Sequence, residues 1–368
     1  MFLLLNTEHK IIISKSKIYM PKNSKLLIVY NPWRKYQGSL LEYMIENLKT
    51  AGIKVDFVDF SSLKPFKNNN IWNKIKNIYQ RNIHNNKNYI LKIENEIFNR
   101  QFRTIFRQII NNDNKYDNIL IIKPEEYNKK NIKVLKKICR SKIVGYIWDG
   151  IRPHLVHNLQ NSRVLFNNLY SFDKNDILNY TNLEMQFYTN FSAYNKTIIP
   201  YSERDTDLFY IGGIGAAQIK QRRDIMLERF LSKIDDRLDI NIFIHDEEES
   251  LKITSKNIKY TKQYLSLFDS LERTKKSKCV LDICKSHHIG LSFRFFDCLS
   301  TETKLITNNK DIQNYDFYDP ENIMIVEYEN DILSQHEFKN FIERPYKKLP
   351  EDIISKYRIN HWIENIFK

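Results

Sequence analysis

Residues 279–326 read CVLDICKSHHIGLSFRFFDCLSTETKLITNNKDIQNYDFYDPENIMIV, and the order of textures in this stretch decides the fold class. Cys279–Ile283 is a short apolar run of the kind shown by a parallel strand covered on both faces. Lys285–Ile289 is a polar loop ending at Gly290, after which Leu291, Phe295 and Leu299 recur at helical spacing. Arg294 and Asp297 stand three apart and share one face of that helix. A second strand, Lys304–Thr307, follows. Gly290 lets backbone N–H groups approach an anion, and the helix start adds roughly half a positive charge, so a diphosphate can rest there. Asp297 is then placed to accept ribose hydroxyls. An exposed Arg294–Asp297 pair contributing about 0.2–0.5 kcal/mol, next to a plain turn at Gly290, would present the same spacing.

The same rhythm runs outward from this stretch. Lys25–Tyr30 is a buried-strand run, Ser39–Ala51 a helix closed by Gly52, and Val55–Phe60 the next strand. Asn118–Ile122 and Ile143–Trp148 are strands separated by a helix around Lys130–Cys139. A second series begins near Pro200: strand Asp207–Ile211, helix Gln221–Leu231, strand Ile240–Ile244, helix Tyr264–Thr274, then Cys279 onward. This alternation predicts an α/β protein with two Rossmann-like, doubly wound parallel sheets joined by right-handed crossovers. The expected divisions are an N-terminal extension over 1–24, one domain over 25–198, a second over 199–349 and a C-terminal helix over 350–368. That last helix, Pro350–Phe367, puts Trp362 and Ile366 on one face and is expected to pack back across both domains.

The run GLSFRFFDCLSTETKLITNN, followed by YDFYDPENIMIVE, resembles the C-terminal donor-domain motif of GT-B glycosyltransferases from bacterial lipopolysaccharide and capsule gene clusters. That family has a Gly-Leu-Ser/Thr-x-Arg-x-x-Glu core, a Lys-Leu-Ile-Thr-x-Asn strand and a Tyr-Asp-Phe-Tyr-x-Pro-x-Asn turn. Gly290, Leu291, Ser292 and Arg294 match, and Asp297 stands where the family more often has Glu, one methylene longer. YIWDG (146–150), YSFDKND (170–176) and DLFYIGG (207–213) agree in order, so the resemblance covers most of 25–368. It implies two domains facing across a cleft, acceptor binding in the first and nucleotide-sugar binding in the second. It further implies sugar transfer to a lipid-linked or lipopolysaccharide glycan. A nucleotide-sugar epimerase, or a basic binding protein without turnover, is the alternative on the same architecture.

Other stretches supply candidates for these roles. Gly212, Gly213 and Gly215 crowd one loop after a strand, GGIGAAQIKQRR, where Lys220, Arg222 and Arg223 can reach a phosphate. A glycine-rich turn would look the same, and the pattern is neither a dinucleotide fingerprint nor a P-loop. Lys285, His287 and His288 precede Gly290 and are candidate donors to a leaving diphosphate, as is Arg294. Sugar transfer also needs a group to bind or deprotonate the acceptor hydroxyl. Asp149, which closes the YIWDG strand, is the first candidate; Glu125, Glu126 and Tyr30-Asn31 compete with it, and a helix cap at Asp149 is the structural alternative. The Asp205-Thr206-Asp207 triplet precedes a strand instead of following one, so no metal and no cofactor are expected. Asp173 and Asp176 read as a capped helix start.

Composition narrows the setting. The chain has 368 residues, enough for two cores, and 42% of them are hydrophobic. Its four cysteines form no C-x-x-C pair and are expected to be reduced thiols. MFLLLN is too short for a signal-peptide core, and no apolar run approaches a bilayer span, which places the chain on the cytoplasmic side as an expectation. The net charge is +14, and Lys64–Arg107 concentrates cations with Phe66, Trp72, Ile75, Ile78, Tyr79, Ile83 and Tyr89 between them. Such a segment suits docking on the anionic inner face of the bacterial cytoplasmic membrane; a solvated helical face is the alternative. No DNA- or RNA-binding signature accompanies the charge, so nucleic acid is not an expected partner.

Overall fold

The structure is a computed structural model and describes residues 25–30, 38–58, 60, 63, 71–85, 89–111, 115–193, 197–213, 223–235, 237–245, 258–261, 265–284, 289–327 and 334–368. Of these, 25–41, 52–188 and 364–368 form one compact unit, and 42–51 with 189–363 form the other. The expectation for 1–24 lies outside the described residues.

Leu26-Leu27-Ile28-Val29 offers no polar side chain to water, and all four residues are buried, as a strand flanked by layers on both faces requires. It is β1 (Leu26–Val29) of the first unit, joined by β2 (Val55–Phe57), β3 (Tyr116–Ile122), β4 (Cys139–Ile147), β5 (Asn168–Ser171) and β6 (Gln186–Phe187). All pairings are parallel, in the order β2-β1-β3-β4-β5-β6. Helix α2 (Ile71–Asn82) precedes the long α3 (Tyr89–Asn111), whose Phe98, Phe102 and Phe106 recur every fourth residue and stack along the sheet. Each such ring contributes roughly 1.5–3 kcal/mol by leaving water. Helices α4 (Lys129–Lys136), α5 (Val156–Ser162) and α6 (Lys174–Asn179) complete the cover. Asp173 caps α6, accepting from the Asn175 N–H at 2.9 Å, as its sequence position predicted.

The second unit contains β7 (Thr206–Gly213), α7 (Arg223–Leu231), β8 (Ile240–His245), β9 (Ile258–Thr261), α8 (Leu267–Lys276), β10 (Ser277–Asp282), α9 (Phe293–Thr301), β11 (Lys304–Thr307), β12 (Ile323–Ile325) and α10 (Gln335–Glu343). Its parallel order is β9-β8-β7-β10-β11-β12, which is 3-2-1-4-5-6 in the unit's own count and reverses direction between β7 and β10. Buried Arg204 staples the amino ends together, donating to the carbonyls of Ser277 (2.9 Å) and Thr301 (2.7 Å) and to Thr303 Oγ1 (2.8 Å).

Two helices depart from the sequence reading. Helix α1 (Gly38–Thr50) ends at Gly52, with φ +81°, as expected, yet residues 42–50 belong to the second unit. Tyr43 is the reason: its ring lies 5.5 Å from that of Phe268 and 6.5 Å from Phe293, and its hydroxyl donates to Asp297 at 2.8 Å. The expected single helix 350–367 is two, α11 (Glu351–Tyr357) and α12 (Ile359–Ile366). Arg358 between them is extended, because Ser192 intercepts the backbone by donating to Tyr357 O (2.8 Å) and accepting from the Ile359 N–H (3.1 Å). Trp362 and Ile366 are both buried, as their shared face predicted.

Candidate functional site

In an open parallel sheet, ligands gather beyond the carboxyl ends of the strands where the order reverses. In the second unit that point is held by Asp282, the last residue of β10, whose side chain is almost wholly buried. Its Oδ1 accepts from Arg294 at 2.6 Å and from the Ser292 hydroxyl at 3.1 Å, and its Oδ2 from Thr307 at 3.3 Å. The same guanidinium donates to the Ile211 carbonyl of β7 at 2.5 Å. Arg294 therefore bridges β7 and β10 at the reversal. A buried pair of this kind persists only when further hydrogen bonds satisfy both partners, which Ser292, Thr307 and Ile211 supply.

Beside this clamp lies a pocket of about 260 Å³, lined by Gly212 and Gly213 of β7, Phe243 and His245 of β8, and Ser292, Arg294 and Asp297 around the start of α9. Ser292 takes the N-cap position with an extended backbone but makes no side-chain cap bond, since its hydroxyl is turned to Asp282. The first N–H groups of α9 are thus left without a side-chain cap at the pocket wall. Asp297 accepts from Tyr43 on Oδ1, and no described residue donates to Oδ2. Burial pushes its carboxyl up to about 7, against the opposing pull of the Tyr43 hydrogen bond and the Arg294 charge.

Among the candidates for donor binding, Gly212, Gly213, Ser292, Arg294 and Asp297 come together at this pocket. Gly290 and Leu291 are buried immediately before α9, where the Leu291 carbonyl accepts from Asn190 at 3.0 Å. Gly215, Lys220, Arg222, Lys285, His287 and His288 lie outside the described residues. The two pocket glycines differ in kind. A Cβ on Gly212 would come within 2.7 Å of Tyr210 Cζ, so packing demands that glycine; a Cβ on Gly213 would meet nothing closer than 4.0 Å. Asp282, Tyr43, Phe243 and His245 were not singled out from the sequence. A lone acid closing the apolar run CVLD was a readable signal for Asp282, whereas Tyr43 lies 254 residues from its partner and carried none.

The first unit has its own cluster at its order reversal, beyond β1, β3 and β4. Lys123 takes a left-handed backbone (φ 54°) before Pro124, and the tight turn Pro124–Glu126 then sets Glu125 and Glu126 beneath Tyr30 and Arg152. Glu126 pairs with Arg152, and Lys123 Nζ lies 3.5 Å from Asp149 and 5.2 Å from the centre of the Trp148 ring. Glu125 is fully buried, and neither of its carboxyl oxygens has a hydrogen-bond partner among the described residues; the hydroxyls of Tyr30 and Tyr127 are in the same position. Desolvation pushes Glu125 up to about 7, with Arg152 and Lys123 pulling the other way. The sequence candidates Tyr30, Glu125, Glu126 and Asp149 are thus neighbours, while Asn31 lies outside the described residues. Asp149 is the accessible one, with its side chain about half exposed (47%), and it caps no helix.

Among the described residues no group of three or more His, Cys, Asp or Glu is placed to hold a metal ion, and no helix is long and apolar enough to cross a membrane. Asp207 of the Asp205-Thr206-Asp207 triplet sits near the amino end of β7, away from the pocket, bound to Lys278 at 2.7 Å and to the Asp239 N–H at 3.0 Å.

An E. coli structure described as trehalose-6-phosphate bound with UDP-2-fluoro glucose is similar to this chain at 12% identity, covering 94% of this chain and 99% of that one with a TM-score of 0.53. A trehalose-6-phosphate synthase structure gives 13% identity, 93% and 99% coverage, and a TM-score of 0.52. The chain has the GT-B fold. No family model and no curated protein matches the sequence, and at these identities the likeness is one of architecture.

The Glu125 carboxyl makes a signed prediction about stability. With its folded value near 7 and its ordinary value of 4.5, the folded state holds the extra proton between those limits. Its stabilising contribution is complete below about 4.5 and is lost as pH rises through 7, on the order of 3 kcal/mol in all. Denaturant unfolding of wild type and Glu125→Gln at acidic and mildly alkaline pH should show the wild type losing ground to the variant as pH rises. A difference that does not move with pH removes the buried, protonated carboxyl from the account.

Proposed function

We propose that this protein is a glycosyltransferase that moves a sugar from a nucleotide-activated donor to a surface-glycan acceptor at the cytoplasmic face of the membrane. The acceptor class we assign is lipopolysaccharide, O-antigen or capsule, and the reaction needs no metal or cofactor. The observation that carries the reading is the pocket at the β7/β10 reversal, where the uncapped start of α9, Gly213 and the Asp297 carboxyl meet. N–H groups at a helix start suit a diphosphate, and a carboxyl with an open oxygen suits a ribose diol. The shared fold of a structure described as bound with UDP-2-fluoro glucose supports a uridine donor.

In the transfer, the acceptor oxygen bonds to the anomeric carbon as the bond to the diphosphate oxygen breaks. The electron pair leaves on the diphosphate, and the acceptor proton passes to a base. Charge developing on the diphosphate is met by the α9 N-terminus. Arg294 acts by positioning: it is committed to Asp282 and Ile211, and its removal would report on the clamp more than on the ligand. For the base we assign Asp149, accessible and kept beside Lys123, with buried Glu125 and Glu126 behind it.

Nucleotide titrations with UDP, GDP, CMP, ADP and TDP test the donor site directly. Asp297→Asn should cost about 1.5–3 kcal/mol of affinity for the preferred nucleotide, the size of a charge-assisted contact. Gly213→Ala should weaken the same titration without lowering the melting temperature, because the added methyl meets only pocket space. Unchanged titrations in both folded variants would return the pocket to simple packing.

Asp149→Asn preserves shape and removes basicity. Turnover should fall by roughly 10²–10⁴ while nucleotide affinity holds, the range typical of general-base help. Near-normal transfer by the folded variant would move the role to Glu125 or Glu126.

Membrane attachment is assigned to α2, where Trp72, Ile75, Ile78 and Tyr79 are all exposed beside Lys74, Lys76 and Arg81. An apolar stripe bordered by cations fits an anionic lipid surface, each cation adding about 1 kcal/mol. The protein should co-sediment with phosphatidylglycerol vesicles, poorly with phosphatidylcholine vesicles, and less in either case at high salt. Sedimentation indifferent to lipid charge and salt would refute the attachment.

A further inference from the structure

One large concavity is used by neither the nucleotide pocket nor the Tyr30–Glu125 cluster. It lies in the first unit between α3, α4 and the start of α5, in two stretches of about 680 Å³ and 660 Å³ that share Glu96, Asn128 and Asn158. Its floor is a built lattice of carboxamides. Asn99, 1% exposed, donates to the Asn95 carbonyl at 2.7 Å, and its Oδ1 accepts from the Asn128 N–H at 2.7 Å and from Asn131 at 2.5 Å. Asn158, 4% exposed, donates to the Glu125 carbonyl at 2.9 Å and to Asn95 Oδ1 at 3.2 Å. No described residue donates to Asn158 Oδ1, which leaves a buried amide with an open polar atom on the groove lining.

The walls are predominantly cationic. Arg100 and Arg103 come from α3, and Lys129, Lys130 and Lys133 from the first turns of α4. None of the five forms an ion pair with a described residue, and the only carboxylate lining the groove is Glu96. Helix α4 has no acid in its first turn and three lysines at or next to it, so cations crowd the positive end of the dipole, where anions are favoured. An arrangement that repels itself in this way is relieved by a bound anion. The lining has no Phe, Tyr or Trp on which a nucleobase could stack and no exposed apolar stripe to enter a bilayer.

We propose that this groove binds an anionic saccharide, with Arg100, Arg103 and the α4 lysines on its carboxylate or phosphate groups and the carboxamides on its hydroxyls. The inference deepens the sugar-transfer reading by naming the acceptor class as acidic, and it rests on that reading only for the ligand's role as acceptor.

The full chain is titrated with a galacturonic acid tetramer and with maltotetraose, at low and raised salt, and with UDP in parallel. The acidic tetramer should bind at least about tenfold more tightly than the neutral one, and raised salt should narrow the gap. Arg103→Glu with Lys133→Glu should weaken the acidic tetramer by about tenfold or more, as opposed charges now face the acid groups, and leave UDP affinity unchanged. If that pair fails to fold, Arg103→Gln with Lys133→Gln, matched to wild type in melting temperature, makes the same test with a smaller loss. Equal affinity for the two tetramers, or an acidic titration unmoved by the variants, overturns the proposal. So does capture of phosphatidylglycerol vesicles or a single-stranded oligonucleotide by the groove cations in the absence of galacturonate binding. Galacturonate binding with no response to any nucleotide would leave the groove standing and remove the sugar-transfer reading instead.

Discussion

The second unit is organised around one buried carboxylate. Asp282 ends β10, and its two oxygens collect Arg294, Ser292 and Thr307, three side chains from the start of α9 and the end of β11. Through Arg294 the same charge reaches the Ile211 carbonyl on β7. An unpaired carboxylate at that depth would cost several kcal/mol, so the four groups hold one another in place or none of them stays. The consequence extends to the pocket. Because Ser292 spends its hydroxyl on Asp282, α9 starts without a side-chain cap at the pocket wall. The contact that ties the sheet together therefore also decides how α9 begins.

Sequence alone made the architecture legible where strands are fully buried. LLIV, NILII and CVLD have no polar alternation to mislead, and each became a central strand, β1, β3 and β10. Edge strands were read less well: β2 was expected as Val55–Phe60, but β6, with two residues, and β12, with three, were not, since neither window contains a pattern long enough to distinguish from a turn. Register with a neighbour creates those strands, and pairing is a property of two segments. The break at Arg358 was invisible for a related reason, since the backbone that interrupts the helix belongs to Ser192. At the candidate site, Arg294 and Asp297 were found by their spacing, but their partners were not. Asp282 lies 12 residues before Arg294 and Tyr43 lies 254 before Asp297, distances that no local periodicity bridges.

The two units solve a similar problem with different chemistry. At the reversal of the second sheet the described charged groups Asp282, Arg294 and Asp297 each have a partner close by. At the reversal of the first, Glu125 and the hydroxyls of Tyr30 and Tyr127 are buried with none among the described residues. Orphaned polar atoms at that density are uncommon in a native interior. Desolvation is therefore the largest influence on all three, raising Glu125 towards neutrality and both tyrosines above their ordinary range. Asp149 owes its accessibility to this division: Lys123 and Glu125 face the interior, and the half-exposed carboxyl faces water.

Asp297 is a buried acid whose partner comes from far away in the chain. Within α9, its Oδ1 accepts from Tyr43, while no described residue donates to Oδ2. Burial alone would favour its neutral form, and the Tyr43 hydrogen bond and Arg294 charge offset part of that cost, leaving the group near 7. Tyr43 thus does more than anchor residues 42–50 in the second unit: by donating to one oxygen it also offsets part of the cost of burying the carboxyl.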